Sequence, residues 1–177
     1  QWRPASSQES FEIVRRRLFT EPDEQARSDI GAVARQFHQF YAKHTGEFPR
    51  EVVDPAYESR LRDSFPIHPE LFDRLYQDWS TLDRFQRTRG VLRMMSAVVH
   101  ALWSAQDPSP MILPGTIPLD SAVASSEILQ YLPDSWKPIV DADVDGAEST
   151  PARIDARSVG LMPVSGARRV RVRSRER

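Results

Sequence analysis

Thr88-Arg89-Gly90-Val91-Leu92-Arg93-Met94-Met95-Ser96-Ala97-Val98-Val99-His100-Ala101-Leu102-Trp103-Ser104-Ala105 is the most hydrophobic stretch of the 177-residue chain. Val91, Leu92, Met94, Met95, Val98, Val99, Leu102 and Trp103 recur at helical spacing and cover more than one face. An amphipathic helix needs only one apolar stripe, so a helix this apolar all round predicts a place at the centre of its core. Thr88 suits the N-cap, and Asp107-Pro108-Ser109-Pro110 breaks the helix after Gln106.

Helical patterning continues toward the N-terminus. Leu71, Phe72, Leu75, Tyr76 and Trp79 form a stripe that starts at His68-Pro69, where the histidine suits an N-cap. Asp54-Pro55 is an N-cap followed by proline at the first helical position, opening a short helix through Leu61. Ser64-Phe65-Pro66-Ile67 is expected to be extended, because a residue before proline avoids the helical region. Glu47 to Val53 reads as an extended connection. A longer helix, from about Asp23 to His44, carries Ala26, Ile30, Val33, Phe37, Phe40 and Tyr41, with Gly46 as its expected C-cap. Ser6-x-x-Glu9 has the form of a capping box ahead of Phe11, Val14 and Leu18, and Glu21-Pro22 closes that first helix. The short turn predicts that the first two helices pack as an antiparallel pair.

Past residue 106 the texture changes. Met111-Ile112-Leu113 is a short extended run and Pro114-Gly115 a turn. Asp120 or Ser121 caps one more helix, with Val123, Ile128, Leu129 and Leu132 inward, and Trp136, Ile139 and Val140 are expected anchors. The predicted fold class is mainly α: a helical bundle over 6–106, an extended segment with one helix and an irregular region over 107–155, and an Arg-rich, poorly ordered tail over 156–177.

Composition narrows the function classes. Hydrophobic residues make up 40% and charged residues 28%, a globular balance. Cysteine is absent, which excludes disulfide scaffolds and thiolate metal sites. No apolar run is long enough for a membrane span, and no signal peptide opens the chain, so a cytoplasmic location is expected. The net charge of −1 hides an asymmetry: residues 152–177 hold eight arginines against Asp155 and Glu176, leaving 16 basic against 23 acidic side chains before them. Only Lys43 and Lys137 are lysines, a bias that suits a GC-rich genome.

Catalytic signatures are missing. There is no G-x-x-x-x-G-K-[ST], no G-x-G-x-x-G, no H-E-x-x-H and no G-x-S-x-G. Asp141-Ala142-Asp143-Val144-Asp145-Gly146 has the first half of a calcium loop, but Ala152 stands where a bidentate Glu is needed, so no metal site is expected. His38, His44, His68 and His100 are dispersed and read as structural, His100 as a core or boundary residue. Of Arg15, Arg16 and Arg17, at least two must point outward. Three arginines, Arg87, Arg89 and Arg93, crowd the start of the central helix. Cations there oppose the helix macrodipole unless an anion offsets them, and free N–H groups add to the attraction for phosphate. The alternative is that these arginines pair with Asp78, Asp83 or Glu70.

At this stretch a resemblance enters. Ser64-Phe65-Pro66-Ile67-His68-Pro69-Glu70-Leu71, Leu75-Tyr76, Trp79-Ser80-Thr81-Leu82 and Phe85-Gln86-Arg87-Thr88-Arg89-Gly90-Val91-Leu92-Arg93 resemble large prokaryotic AAA+-like ATP-binding proteins, the domain of unknown function 499 family, often met in anti-phage defence loci. The match runs from Phe11-Glu12-Ile13-Val14-Arg15-Arg16-Arg17-Leu18 to about Asp155. It implies a P-loop ATPase in which an α/β core precedes a helical lid, this chain supplying the lid and its extension. ATP with Mg2+ would then be bound mainly by the upstream core, a partner of this chain, with none expected on the chain alone. An arginine near the start of a lid helix reaches the γ-phosphate in such proteins. By placement Arg89 is the first candidate, Arg93 lies one turn further on, and Arg87 just precedes it. The absent initiator Met and phosphate loop fit a chain that begins after the core. Beyond Asp155, Gly166-Ala167-Arg168-Arg169-Val170 fits the family pattern, but Arg171-Val172-Arg173-Ser174-Arg175-Glu176-Arg177 replaces the apolar run expected there. A frame error or a broken gene end would produce such a tail, as would genuine divergence.

Two rivals follow from the residues alone. The basic tail and Arg15–Arg17 suit a nucleic-acid-binding module, because cationic side chains release counterions from phosphates. A helical protein-interaction module without catalysis is the other, and the intact protein could be an oligomer.

Overall fold

A computed structural model of the chain describes residues 7–82, 85 and 87–144, with side chains described at 11–79, 81–82, 85 and 88–142. These residues are mainly α, with seven helices among them: α1 (Ser7–Leu18), α2 (Glu24–Lys43), α3 (Pro55–Ser64), α4 (Pro69–Gln77), α5 (Arg87–Ser104), α6 (Ala122–Leu129) and α7 (Trp136–Ile139). They fall into two compact units. Among the described residues, one comprises those up to Arg74 together with Pro110–Ile112; the other comprises those of Leu75–Ser109 and of 113–144. Ser6 and the side chain of Glu9 of the expected capping box, the side chains of the half calcium loop from 143 on, and the whole Arg-rich tail lie outside the described residues.

In the first unit, local chemistry sets the helix ends as the sequence predicts. Asp23 Oδ1 accepts from the Ala26 N–H at 2.8 Å, and Asp54 Oδ1 accepts from the Ala56 N–H at 2.8 Å with Pro55 at the first helical position. Each cap satisfies an N–H that the helix itself leaves free. The helix pairing differs from expectation. α3 is the main neighbour of α2, and α1 also rests on α3. A short turn keeps consecutive helices close in space without deciding which faces meet. Here the α2 stripe of Ile30, Val33, Ala34, Phe37 and Tyr41 is buried, Tyr41 meets the Tyr57 ring of α3 at 6.2 Å, and Phe11 of α1 packs edge-on against Phe72 of α4 at 4.5 Å.

The two extended runs read from sequence pair with each other. Ile67 and Ile112 form a parallel bridge, in which the His68 N–H donates to the Ile112 carbonyl (3.0 Å) and the Ile112 N–H to the Pro66 carbonyl (2.8 Å). Both isoleucines are buried, as is Met111 beside them. The Phe65-Pro66 peptide bond is cis. α3 runs on to Ser64, and the connection before it contains a 3-10 turn, Arg50–Val53. Gly46 is not the cap of α2: the helix ends at Lys43 with His44 as its cap, and Gly46 sits beyond it in a turn.

The second unit is built on α5, as its composition demands. Val91, Met94, Met95, Val98 and Val99 are buried, and α6 packs on α5 through Ala124 and Ile128. At roughly 1.5–3 kcal/mol for each large apolar side chain removed from water, this row dominates the unit's stability. α5 ends in a Schellman arrangement. Gln106 takes φ 54°, its N–H bonds the Trp103 carbonyl (3.1 Å), and the Asp107 N–H bonds the Leu102 carbonyl (3.0 Å). Pro108 follows, and no further turn can form.

Several inward assignments fail. Trp103 is 45% exposed, Val123 58%, Trp136 47% and Ile139 45%. For α6 the reason is phase: with Ser121 as its cap, the i, i+4 pair facing α5 is Ala124 and Ile128, and Val123 stands about 100° away. For α7 it is length, because four residues make a single turn that cannot bury a full stripe. Trp79 lies past the end of α4, opening a 3-10 turn, Trp79–Thr81.

Candidate functional site

The first turns of α5 carry the arginines singled out by sequence, and an aromatic cluster turns Arg89 and Arg93 outward. Phe85 is buried just before the helix. Its ring meets Trp79 edge-on at 5.8 Å and Tyr131 edge-on at 5.0 Å. On its other side lies Gly90, where a Cβ would stand 2.9 Å from two Phe85 ring carbons. Glycine inside a helix normally costs 0.5–1 kcal/mol relative to alanine, roughly. Here the missing side chain is what lets the ring lie against the helix backbone. Burial of Gly90, Val91, Met94 and Met95 turns the opposite face, with Arg89 and Arg93, to solvent.

The two arginines differ in their partners. Arg89 lies in the first turn, exposed, and makes no hydrogen bond or ion pair with any described residue. The first turn of α5 contains no acidic residue either. Arg93, one turn on, forms a two-pronged pair with Glu127 of α6: Nε to Oε2 at 2.6 Å and Nη2 to Oε1 at 2.9 Å. Hydrogen bonding from Arg93 holds the Glu127 carboxyl below its ordinary range, and Gln130 Nε2 donates to Oε2 at 2.7 Å as well. The Arg93 guanidinium is raised in turn by the same pair. Arg87 begins the helix, and its side chain lies outside the described residues, as does Asp83. Because α5 includes Arg87, Thr88 sits inside the first turn rather than at its cap.

Sequence reasoning missed the partner of Arg93. It offered Asp78, Asp83 and Glu70, all near in sequence, whereas Glu127 is 34 residues away and Glu70 binds Arg74 at 2.8 Å. Arg16 and Arg17 are exposed, as predicted, while half-buried Arg15 pairs with Glu12 (3.2 Å) and Glu21 (3.5 Å).

The histidine at the start of α4 has a larger role than a cap. His68 Nδ1 accepts from the Glu70 N–H at 3.2 Å, which is the predicted capping contact. That acceptance assigns the ring hydrogen to Nε2, which donates to the Tyr41 hydroxyl at 2.9 Å inside a buried cluster with Phe37 and Tyr57. Burial pushes the His68 pKa down to about 4, the Tyr57 phenol up to about 12, and the Tyr41 phenol upward too. His100, expected at the core or its boundary, is exposed. Among the described residues no three His, Asp or Glu side chains are grouped to hold a metal ion, and Asp141 pairs with Lys137 at 3.1 Å. No described helix is long and apolar enough to cross a membrane.

No curated protein and no solved structure matches the chain. A family model does: the one described as the DUF499 second domain aligns with residues 5–164. With most of its length inside that match, the chain belongs to the DUF499 second-domain family.

Proposed function

We propose that this domain is the helical cover of an ATP-hydrolysing protein, and that Arg89 is the side chain by which it contacts bound nucleotide. The carrying observation is an exposed arginine without a described partner, in the first turn of a helix that has no acidic residue there. A cation so placed is disfavoured by the helix dipole and favoured by an arriving anion, and guanidinium geometry suits phosphate oxygens. The chain has no phosphate loop, and among its described residues no three His, Asp or Glu side chains are grouped to hold a metal ion. Its residues therefore fit a supplementary phosphate contact and not a whole nucleotide site. ATP and Mg2+ would be held mainly by a preceding core, in keeping with the description of this family as a second domain. Contact with the γ-phosphate exists only before hydrolysis, so its loss biases the cover between two positions.

The test is made in the full-length protein. Arg89→Ala should lower ATP turnover at least about tenfold, the order of loss for one transition-state contact. Arg93→Ala and Arg87→Ala, measured alongside, fix which turn of α5 faces the nucleotide. Near-normal turnover in all three variants overturns the reading.

A further inference from the structure

Arg89 and Arg93 stand one helical turn apart on the exposed side of α5, so one polyanion can reach both. Only Arg93 is engaged. Glu127 binds it through two nitrogens, and Glu127 is also held by Gln130, the residue that caps the end of α6. The Arg93 side chain is 62% exposed and that of Glu127 21% exposed. A pair this open to water is weak, since the solvent supplies nearly equivalent partners to both ions. A phosphate with more than one negative charge attracts a guanidinium more strongly than the single charge of a carboxylate does.

We infer that Glu127 is a built-in competitor for Arg93, occupying it until nucleotide phosphate displaces the carboxylate and loosens the turn that closes α6. This rests on the reading of Arg89 as a phosphate contact, and it adds what that contact does. Exchange is inexpensive because the displaced Glu127 returns to solvent, and in swinging away it gives up the Gln130 hydrogen bond that steadies the end of α6. The body of α6 stays in place, because Ala124 and Ile128 remain buried. The change is confined to the amides of Gln130, Tyr131 and Leu132, which bond to Ser126, Ile128 and Leu129 carbonyls at 3.2, 3.5 and 3.0 Å. Tyr131 also packs on Phe85, so loosening this turn bears on the aromatic support beneath Arg89.

The experiment uses the full-length protein, a non-hydrolysable ATP analogue with Mg2+, and two readouts: analogue affinity, and amide hydrogen exchange of residues 126–132. In the parent protein the analogue should speed exchange in that segment. Glu127→Gln keeps the size of the side chain and removes its charge. It should tighten analogue binding about two- to fivefold, the worth of an exposed ion pair, and show the faster exchange before analogue is added. Arg93→Ala should also show fast exchange without analogue, but with weakened binding. A cooperative thermal melt of each variant separates these effects from misfolding. If exchange in 126–132 ignores the analogue and Glu127→Gln binds like the parent while Arg89→Ala binds weakly, the pair is a structural strut and the inference fails alone. If Arg89→Ala and Arg93→Ala both bind like the parent, the inference falls together with the reading it rests on.

Discussion

Burial holds His68 neutral by denying hydration to a charged ring, and a second proton would also sit on Nδ1 and break the bond from the Glu70 N–H. Unfolding returns the ring to its ordinary pKa of 6.5 from about 4, so the unfolded chain binds more protons between those values. Stability is therefore fully present above about pH 6.5 and falls as pH drops toward 4, by something on the order of 3 kcal/mol over the window. Urea titrations from pH 7 to 4.5 should show that decline, and His68→Gln should flatten it; an equal slope in both proteins refutes the assignment. Gly90 gives the second residue-scale prediction. On an exposed helix Gly→Ala stabilises by roughly 1 kcal/mol, yet here the new methyl meets a Phe85 ring pinned by Trp79 and Tyr131. Gly90→Ala should lower stability by about 1–2 kcal/mol, with Phe85→Leu in the same chain recovering most of it, as read from denaturation midpoints. An interior glycine five residues after a phenylalanine was the sequence signal for this close approach, although it does not say which rings lock the phenylalanine in place.

At the scale of elements, helix starts were largely legible because their causes are local. Asp23 and Asp54 cap their helices, and removing either oxygen frees an N–H at the helix end. Asp23→Ala should cost about 1 kcal/mol, and the exchange of the first α2 amides should rise with it. What sequence did not supply was the rotational phase of short helices and the choice of partner. α6 turns Val123 to solvent because Ser121 sets its start, and α2 takes α3 as its main neighbour. The two extended runs were each readable from proline placement and apolar residues, but their pairing joins Ile67 to Ile112 across 45 residues. Nothing local encodes that distance.

Over the whole chain the separation of charge matters most for nonspecific binding. Residues 1–151 carry 16 basic and 23 acidic side chains, while the last 26 residues hold eight arginines and two acids. The intact chain should retard DNA weakly in a gel at about 50 mM salt and lose it well below about 300 mM, because few phosphates are neutralised. A truncation ending at residue 151 should not retard DNA at either salt. Retention in the truncated protein would place a nucleic-acid surface on the helical body and favour the rival reading of the chain.

The sequence by itself determined the mainly helical class, the aspartate caps and the central place of α5. These follow from periodicity and backbone chemistry acting within a few residues. Tertiary structure alone decided that Arg93 is held by Glu127 while Arg89 is left without a described partner, that His68 bonds Tyr41, and that Phe85 lies on Gly90 between Trp79 and Tyr131. Those arrangements depend on which side chains meet when separate segments pack, and pattern along one segment carries no record of the other.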